Sequence, residues 1–302
     1  MSEATEAAVT GVLLMAYGTP ATPEDIQAYY THVRRGRPPT DEQLADLRRR
    51  YEAIGGTSPL LERTQEQAAG IQAALGDGFR VVLGMKHAPP FIEDGVAALA
   101  GAGITRVVGL VLAPHYSVLS VGEYAKRAEA AAAERGVTLT MVSSWHLAPG
   151  YVDLLAGFVA EEIDRLGAEP VEVVFTAHSL PTRILDMGDP YPDQLAETAK
   201  EVAAQAGVDR WSVGWQSAGR TPEPWIGPDL LAILPTLVDA GVAGVVVCPA
   251  GFVADHLEVL YDLDVEARAA ADQLGLAFSR TPSPNSHPSF CATVADVVRS
   301  HA

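Results

Sequence analysis

The chain has 302 residues, 48% of them hydrophobic and 20% charged, enough to bury one large core or two of ordinary size. A net charge of −17 weighs against nucleic acid or an anionic membrane as the main partner, and no apolar run is long enough to cross a bilayer. The two cysteines, Cys248 and Cys291, lie far apart and form no CxxC, which excludes a disulfide framework and a structural zinc site. The acidic start Met1-Ser2-Glu3-Ala4-Thr5-Glu6 does not read as a signal peptide, so the expectation is a soluble cytoplasmic protein.

Apolar runs alternate with helical patterns along the chain, as in a parallel α/β sheet. Strands are predicted near Val12–Ala16, Arg80–Met85, Val107–Ala113 and Thr138–Val142, then Val171–Thr176, Trp211–Trp215, Val245–Cys248 and Leu276–Phe278. Helices are predicted near Pro23–His32, Asp41–Ile54, Leu60–Leu75, Val121–Arg135 and Tyr151–Leu166. The later ones fall near Pro192–Ala206, Asp229–Ala240, His256–Gln273 and Ser289–Arg299.

The two halves repeat one another. Their first strands end in Ala16-Tyr17-Gly18-Thr19-Pro20 and Ala177-His178-Ser179-Leu180-Pro181. Their third strands end at Pro114 and Pro249, with Glu123 and Glu258 nine residues on. Two similar α/β domains with a cleft between them follow.

Ligands of such sheets sit beyond the carboxyl ends of the strands. That places Tyr17 and His178 on opposite walls of the cleft, with Glu258 after another strand end. A helix starting near Asp255, a residue suited to an N-cap, carries Glu258, Asp262 and Glu266 at every fourth position, on one face. Like charges so spaced repel by a few tenths of a kcal/mol per pair, so this face either meets a cation or is simply solvated. Imidazole and carboxylates suit an open site for a borderline metal such as iron, zinc or cobalt. Six of the 21 basic residues (Arg34, Arg35, Arg37, Arg48, Arg49, Arg50) crowd one segment, which suits a small anionic ligand or a solvated basic face. His115 and Tyr116 read as pocket lining ahead of core packing, His87 as pocket lining or a structural hydrogen bond, and His256 as a supporting group. Trp215 and Trp225 read as core. No GxGxxG after a strand, GxxxxGK[ST], HExxH or GxSxG occurs, so nucleotide binding and common hydrolase chemistry lose support.

The segments Leu14-Met15-Ala16-Tyr17-Gly18-Thr19-Pro20, Tyr30-Thr31-His32-Val33-Arg34-Arg35-Gly36-Arg37, Arg50-Tyr51-Glu52-Ala53-Ile54-Gly55-Gly56-Thr57-Ser58-Pro59-Leu60, Ala113-Pro114-His115-Tyr116-Ser117, Thr176-Ala177-His178-Ser179-Leu180-Pro181 and Gly251-Phe252-Val253-Ala254-Asp255-His256-Leu257-Glu258 resemble the ferrochelatases. The resemblance is strongest to the coproporphyrin ferrochelatases of the heme pathway in many Gram-positive bacteria, and spans about Gly11 to Pro288. It implies two chelatase-type Rossmann-like domains, each a four-stranded parallel sheet flanked by helices, with the C-terminal helix packed on the first; the division is then residues 1–113 plus the C-terminal helix 289–302, and residues 114–288. It implies insertion of Fe²⁺ into coproporphyrin III with release of two protons. By motif, His178 and Glu258 become the catalytic iron-site pair, and Asp262 and Glu266 an outer cation route. Tyr17, Arg34, Arg50, Tyr51, Ser58 and Tyr124 become porphyrin contacts.

Iron then enters as a substrate and no permanent cofactor is expected; two cysteines cannot supply the four thiolates of a [2Fe–2S] cluster. The expected partners are coproporphyrin III and Fe²⁺, with transient contact to other heme-pathway enzymes. The chain is expected to be a monomer that binds no nucleic acid and does not span a membrane. The alternatives are a protoporphyrin IX ferrochelatase, a cobalt or nickel chelatase of a corrinoid pathway, or a porphyrin carrier. A carrier needs an axial ligand but not three spaced acids.

Overall fold

The computed structural model describes residues 9–219 and 221–302. The first half runs β1 (Thr10–Ala16), a 3-10 turn (Pro23–Asp25), α1 (Ile26–Val33), α2 (Asp41–Ala53), α3 (Leu60–Leu75) and β2 (Phe79–Met85). It continues through α4 (Ile92–Gly101), β3 (Arg106–Val111), α5 (Val121–Glu134), β4 (Thr138–Met141) and α6 (Pro149–Leu166). The second runs β5 (Val171–His178), α7 (Arg183–Asp186), α8 (Tyr191–Ala206), β6 (Trp211–Gln216), α9 (Leu230–Asp239) and β7 (Gly244–Cys248). A π-helix (Val259–Ala267), α10 (Arg268–Leu274), β8 (Ala277–Arg280) and α11 (Pro288–Arg299) complete it.

The strands form two all-parallel sheets of the same topology, β2-β1-β3-β4 and β6-β5-β7-β8. The apolar runs predicted this: β1 and β7 are buried on both faces along their whole length, as central parallel strands must be. The sheets correct the division at residue 113. β4 pairs with β3 and α5 packs on β3, β4 and α4, so the first lobe continues to Met141. Helix α6, which follows, packs on the second lobe, against α8, β7 and β8. At the other end, α11 packs on α3 of the first lobe and on α6.

One continuous apolar core joins the lobes, with Val12 and Leu110 at one end, Phe175 and Val246 at the other, and Ile71, Tyr151 and Phe290 from α3, α6 and α11 between them. Phe290 is completely buried, and truncating such a residue to alanine costs about 3–5 kcal/mol. Two further departures from the predicted elements bear on the site. Helix α4 was not predicted as an element. The helix predicted over His256–Gln273 begins as a π-helix, whose i→i+5 bonds widen the turn; the Arg268 N–H bonds back to the Leu263 carbonyl. Four residues fall just short of one π turn, so Glu258, Asp262 and Glu266 still follow one face.

Candidate active site

The order in which strands are added to the second sheet reverses between β5 and β7, the point where a doubly wound sheet opens a crevice at its carboxyl edge. His178 is the last residue of β5, and the segment after β7 is pulled against it. Gly251 N–H donates to Thr176 O (2.9 Å), and a Cβ on Gly251 would lie 2.5 Å from the Ala177 Cβ. Only a glycine permits that approach, which carries Glu258 to the imidazole. Tyr151 Oη donates to Ala250 O at 2.7 Å and fixes the same loop from α6.

The helix start differs from the predicted one. The cap is His256, whose Nδ1 accepts from the Glu258 N–H at 3.1 Å. Asp255 instead accepts from Ser283 Oγ and Asn285 Nδ2 (2.9 Å each) and pairs with Arg280 at 3.4 Å, which ties the loop to the β8 exit.

His178 Nε2 lies 3.6 Å from Glu258 Oε1, both groups partly open to the cleft. Nδ1–H donates to Ser179 O at 2.5 Å, which leaves Nε2 facing Glu258 and the cleft. Burial alone would lower the imidazole's pKa, but the Glu258 carboxylate outweighs it and the result is pushed up to about 9. Burial would likewise raise Glu258, and His178 outweighs it, holding the carboxyl at about 2. In the free protein the pair is therefore imidazolium and carboxylate, not the neutral imidazole of an isolated histidine.

Asp262 lies one turn further on and is buried. Burial, then Glu258, raises its pKa to about 7. It accepts a 2.5 Å bond from Ser217 Oγ and sits 3.6 Å from Arg50 Nη1. Arg50 comes from α2 of the first lobe, stacks over the Tyr261 ring at 4.9 Å and also faces Asp46 at 3.4 Å. Its guanidinium thus faces the acidic helix from the first lobe. Glu266 is half-buried on the same face.

Tyr17 opens 44% of its surface to the cleft from the end of β1, and its ring lies 4.5 Å from that of His87. The protein packed around its phenol, then Glu258 and Glu123, push its pKa up. Tyr51 is buried, 3.4 Å from Thr19 Oγ1, and burial holds its phenol up at about 12. Tyr124 is buried beneath Lys86, whose ammonium sits 5.1 Å over the ring and pairs with Glu123. Arg34, partly exposed at the end of α1, stacks on Tyr30 at 5.6 Å and donates from Nε to Arg37 O; Arg35 pairs with Glu123 at 3.1 Å. Ser58 Oγ accepts from the Leu60 N–H at 3.3 Å and lines an open groove of about 440 Å³ with Pro20, Ile54 and, from the π-helix, Leu260.

His115 does not line the cleft. It is buried between the lobes, 2.9 Å from Thr198 Oγ1 on α8, and burial holds it neutral with a pKa of about 3. Trp225, read as core, is half-exposed with its ring 6.4 Å from that of His178. Ser217 and Tyr261 went unread in the sequence; Ser217 directly follows the end of β6, the one signal that could have found it.

The ferrochelatase family model matches residues 9–302. The chain is 48% identical to the coproporphyrin III ferrochelatase of Anoxybacillus flavithermus, over 97% of this chain and 96% of that one. It is 47% identical to the coproporphyrin III ferrochelatase of Bacillus subtilis, over 95% and 96%. Among solved structures, SirB from Bacillus subtilis with Fe³⁺ superposes with a TM-score of 0.58 at 14% identity, over 97% of this chain and 96% of that one. CbiX, the terminal enzyme for biosynthesis of siroheme in denitrifying bacteria, superposes with a TM-score of 0.56 at 16% identity, over 97% and 99%. These two share the fold of paired parallel sheets. With a family model matched to the last residue and relatives almost half identical over nearly their whole length, the chain belongs to the ferrochelatase family.

Proposed function

We propose that this protein is a coproporphyrin III ferrochelatase: it inserts Fe²⁺ into coproporphyrin III, giving Fe-coproporphyrin III and two protons in heme synthesis. The observation that carries the reading is the His178–Glu258 pair, at a strand-end crevice, in a chain almost half identical to coproporphyrin III ferrochelatases.

Porphyrin holds two N–H protons in its ring plane, and iron enters only as they leave. At neutral pH His178 rests as imidazolium against Glu258. Fe²⁺ arriving at Glu258 weakens the carboxylate's hold on that proton, and the neutral imidazole so formed can bind the metal or accept a pyrrole proton. Asp262, poised near neutrality, takes up and passes on protons between Glu258 and Glu266 along the π-helix. The same ridge draws Fe²⁺ inward, and Arg50 holds it against the first lobe. Cleft walls that fit a buckled ring better than a flat one favour the transition state over the product.

Arg34, with Tyr17, Tyr51, Ser58 and Tyr124, forms the porphyrin wall. The four propionates of coproporphyrin III need local cations on a chain of charge −17, and Arg34 supplies the charge-assisted kind of bond. An anaerobic assay of Fe²⁺ insertion into coproporphyrin III and protoporphyrin IX tests the reading; faster turnover of coproporphyrin III is the expected outcome, and a preference for protoporphyrin IX contradicts it. No helix among the described residues is long and apolar enough to cross a membrane; the reading is of a cytoplasmic reaction, with the porphyrin exchanged through solvent or a passing partner enzyme.

A further inference from the structure

His178 is fixed by more than its own strand. Its carbonyl, on the last residue of β5, accepts from the Oη of Tyr191, the first residue of α8, at 3.0 Å. Tyr191 is buried, its ring against Trp215 at 5.6 Å and His115 at 6.2 Å. Its own N–H donates to Asp189 Oδ1 at 3.0 Å. The other oxygen of Asp189 reaches across to the first lobe. Oδ2 accepts from Ser117 Oγ (2.9 Å) and from the Val118 N–H (2.8 Å), in the loop that follows β3. Beside it, Gln194 Oε1 accepts from the Tyr116 N–H at 2.7 Å. One carboxylate thus binds a first-lobe loop with one oxygen and, with the other, the residue that holds the His178 backbone.

We propose that Asp189 and Tyr191 are positioning residues for iron insertion: they form a brace that sets His178 against the cleft and ties its placement to the closure of the two lobes. This rests on the proposed function and extends it to groups that touch neither metal nor porphyrin. The need for a brace is geometric. The imidazole meets Glu258 from a separate element, and a displacement of about 1 Å at a reacting group can cost 10²-fold in rate. A bond to the residue's own carbonyl limits rotation of the peptide that follows β5. A carboxylate that accepts three hydrogen bonds at once cannot shift without breaking them, and one of the donors, the Ser117 hydroxyl, belongs to a fully buried residue.

Tyr191→Phe removes the hydroxyl and keeps the packed ring; Asp189→Asn keeps the shape but has one acceptor oxygen, so it cannot accept from the Tyr191 N–H and from the first-lobe loop together. Each is expected to lower kcat about tenfold with little change in KM for coproporphyrin III. The double variant is expected to lose little more than either alone, because Asp189 acts through Tyr191. In the metal-free protein the His178 Cε1–H signal in a ¹H–¹³C NMR spectrum should move in both variants. Val202→Ala, a buried change on the same helix away from the brace, should lower the melting temperature while leaving kcat and that signal in place. Wild-type kcat with an unmoved His178 signal in Tyr191→Phe overturns the proposal, as does an equal loss of kcat in Val202→Ala. If the wild type fails to metallate coproporphyrin III, the functional assignment falls, while the NMR shift in the metal-free protein still decides whether the brace exists.

Discussion

Arg50 of the first lobe and Asp262 of the second face each other at 3.6 Å across the cleft, so the acidic helix that leads to Glu258 is held from both sides. Burial and the neighbouring Glu258 also push the Asp262 pKa up to about 7. Its charge grows as pH rises through 7. Half-saturation of the enzyme with Fe²⁺ should therefore fall to lower Fe²⁺ concentration between pH 6 and 8. Asp262→Asn should raise the half-saturating concentration and flatten that dependence, with little effect on porphyrin KM. Steady-state insertion rates over an Fe²⁺ series at several pH values provide the check; an effect on porphyrin KM alone would remove Asp262 from the cation route.

The His178–Glu258 pair makes a second, independent claim on pH. His178 is raised from 6.5 to about 9, so its contribution to stability is complete below 6.5 and is lost as pH rises through 9. Glu258 is lowered from 4.5 to about 2, so its contribution is complete above 4.5 and is lost as pH falls through 2. The metal-free wild type should gain most over Glu258→Gln between pH 4.5 and 6.5. Melting temperatures of both proteins from pH 3 to 10 test this, and a constant difference across that range would show that the pair is not ionised as described.

His115 predicts the acid limb. It is buried neutral with a pKa of about 3, whereas the unfolded chain takes up its proton near 6.5. Stability is then lost as pH falls from 6.5 toward 3, by at most about 1.4 kcal/mol per pH unit from this group. His115→Gln, which keeps a partner for Thr198, should melt with a shallower decline over that interval. Parallel curves for the two proteins would assign the acid limb to other residues.

The porphyrin wall turns on Arg34, whose guanidinium is bonded among the described residues through its Nε, to the Arg37 carbonyl. Arg34→Ala should weaken coproporphyrin III use by about tenfold, consistent with the loss of a charge-assisted bond of roughly 1.5–3 kcal/mol. Protoporphyrin IX, with half the propionates, should suffer less. Equal losses in kcat/KM on both porphyrins would place Arg34 outside the recognition of the additional carboxylates.

Strand positions and the strand-end residues were legible because central parallel strands are apolar runs and because the halves share their punctuation, Tyr17-Gly18-Thr19-Pro20 against His178-Ser179-Leu180-Pro181. Helix α4 was not, since Gly95 and Gly101 dilute its pattern; yet Gly95 is there because a Cβ would meet the Leu83 carbonyl at 2.8 Å. The π-helix was hidden for a different reason: acids four residues apart share a face in either helix type. The lobe boundary was misplaced because Pro114 resembles a domain break, while β4 adds to the first sheet only through its pairing with β3. His115 in the cleft and Trp225 in the core share one cause. Each is decided by a partner or surface far away in sequence, respectively Thr198 and the mouth of the cleft beside His178.

Insertion at the His178–Glu258 pair is the central claim, and anaerobic single-turnover kinetics of His178→Ala and Glu258→Gln with Fe²⁺ and coproporphyrin III test it most directly. Both variants should retain the wild-type circular dichroism spectrum and bind coproporphyrin III, as read by its Soret shift. Their insertion rates should fall by at least about 10²-fold, the usual cost of removing a group that moves a proton in the reaction. A folded, porphyrin-binding variant that still inserts iron at close to the wild-type rate would contradict the account.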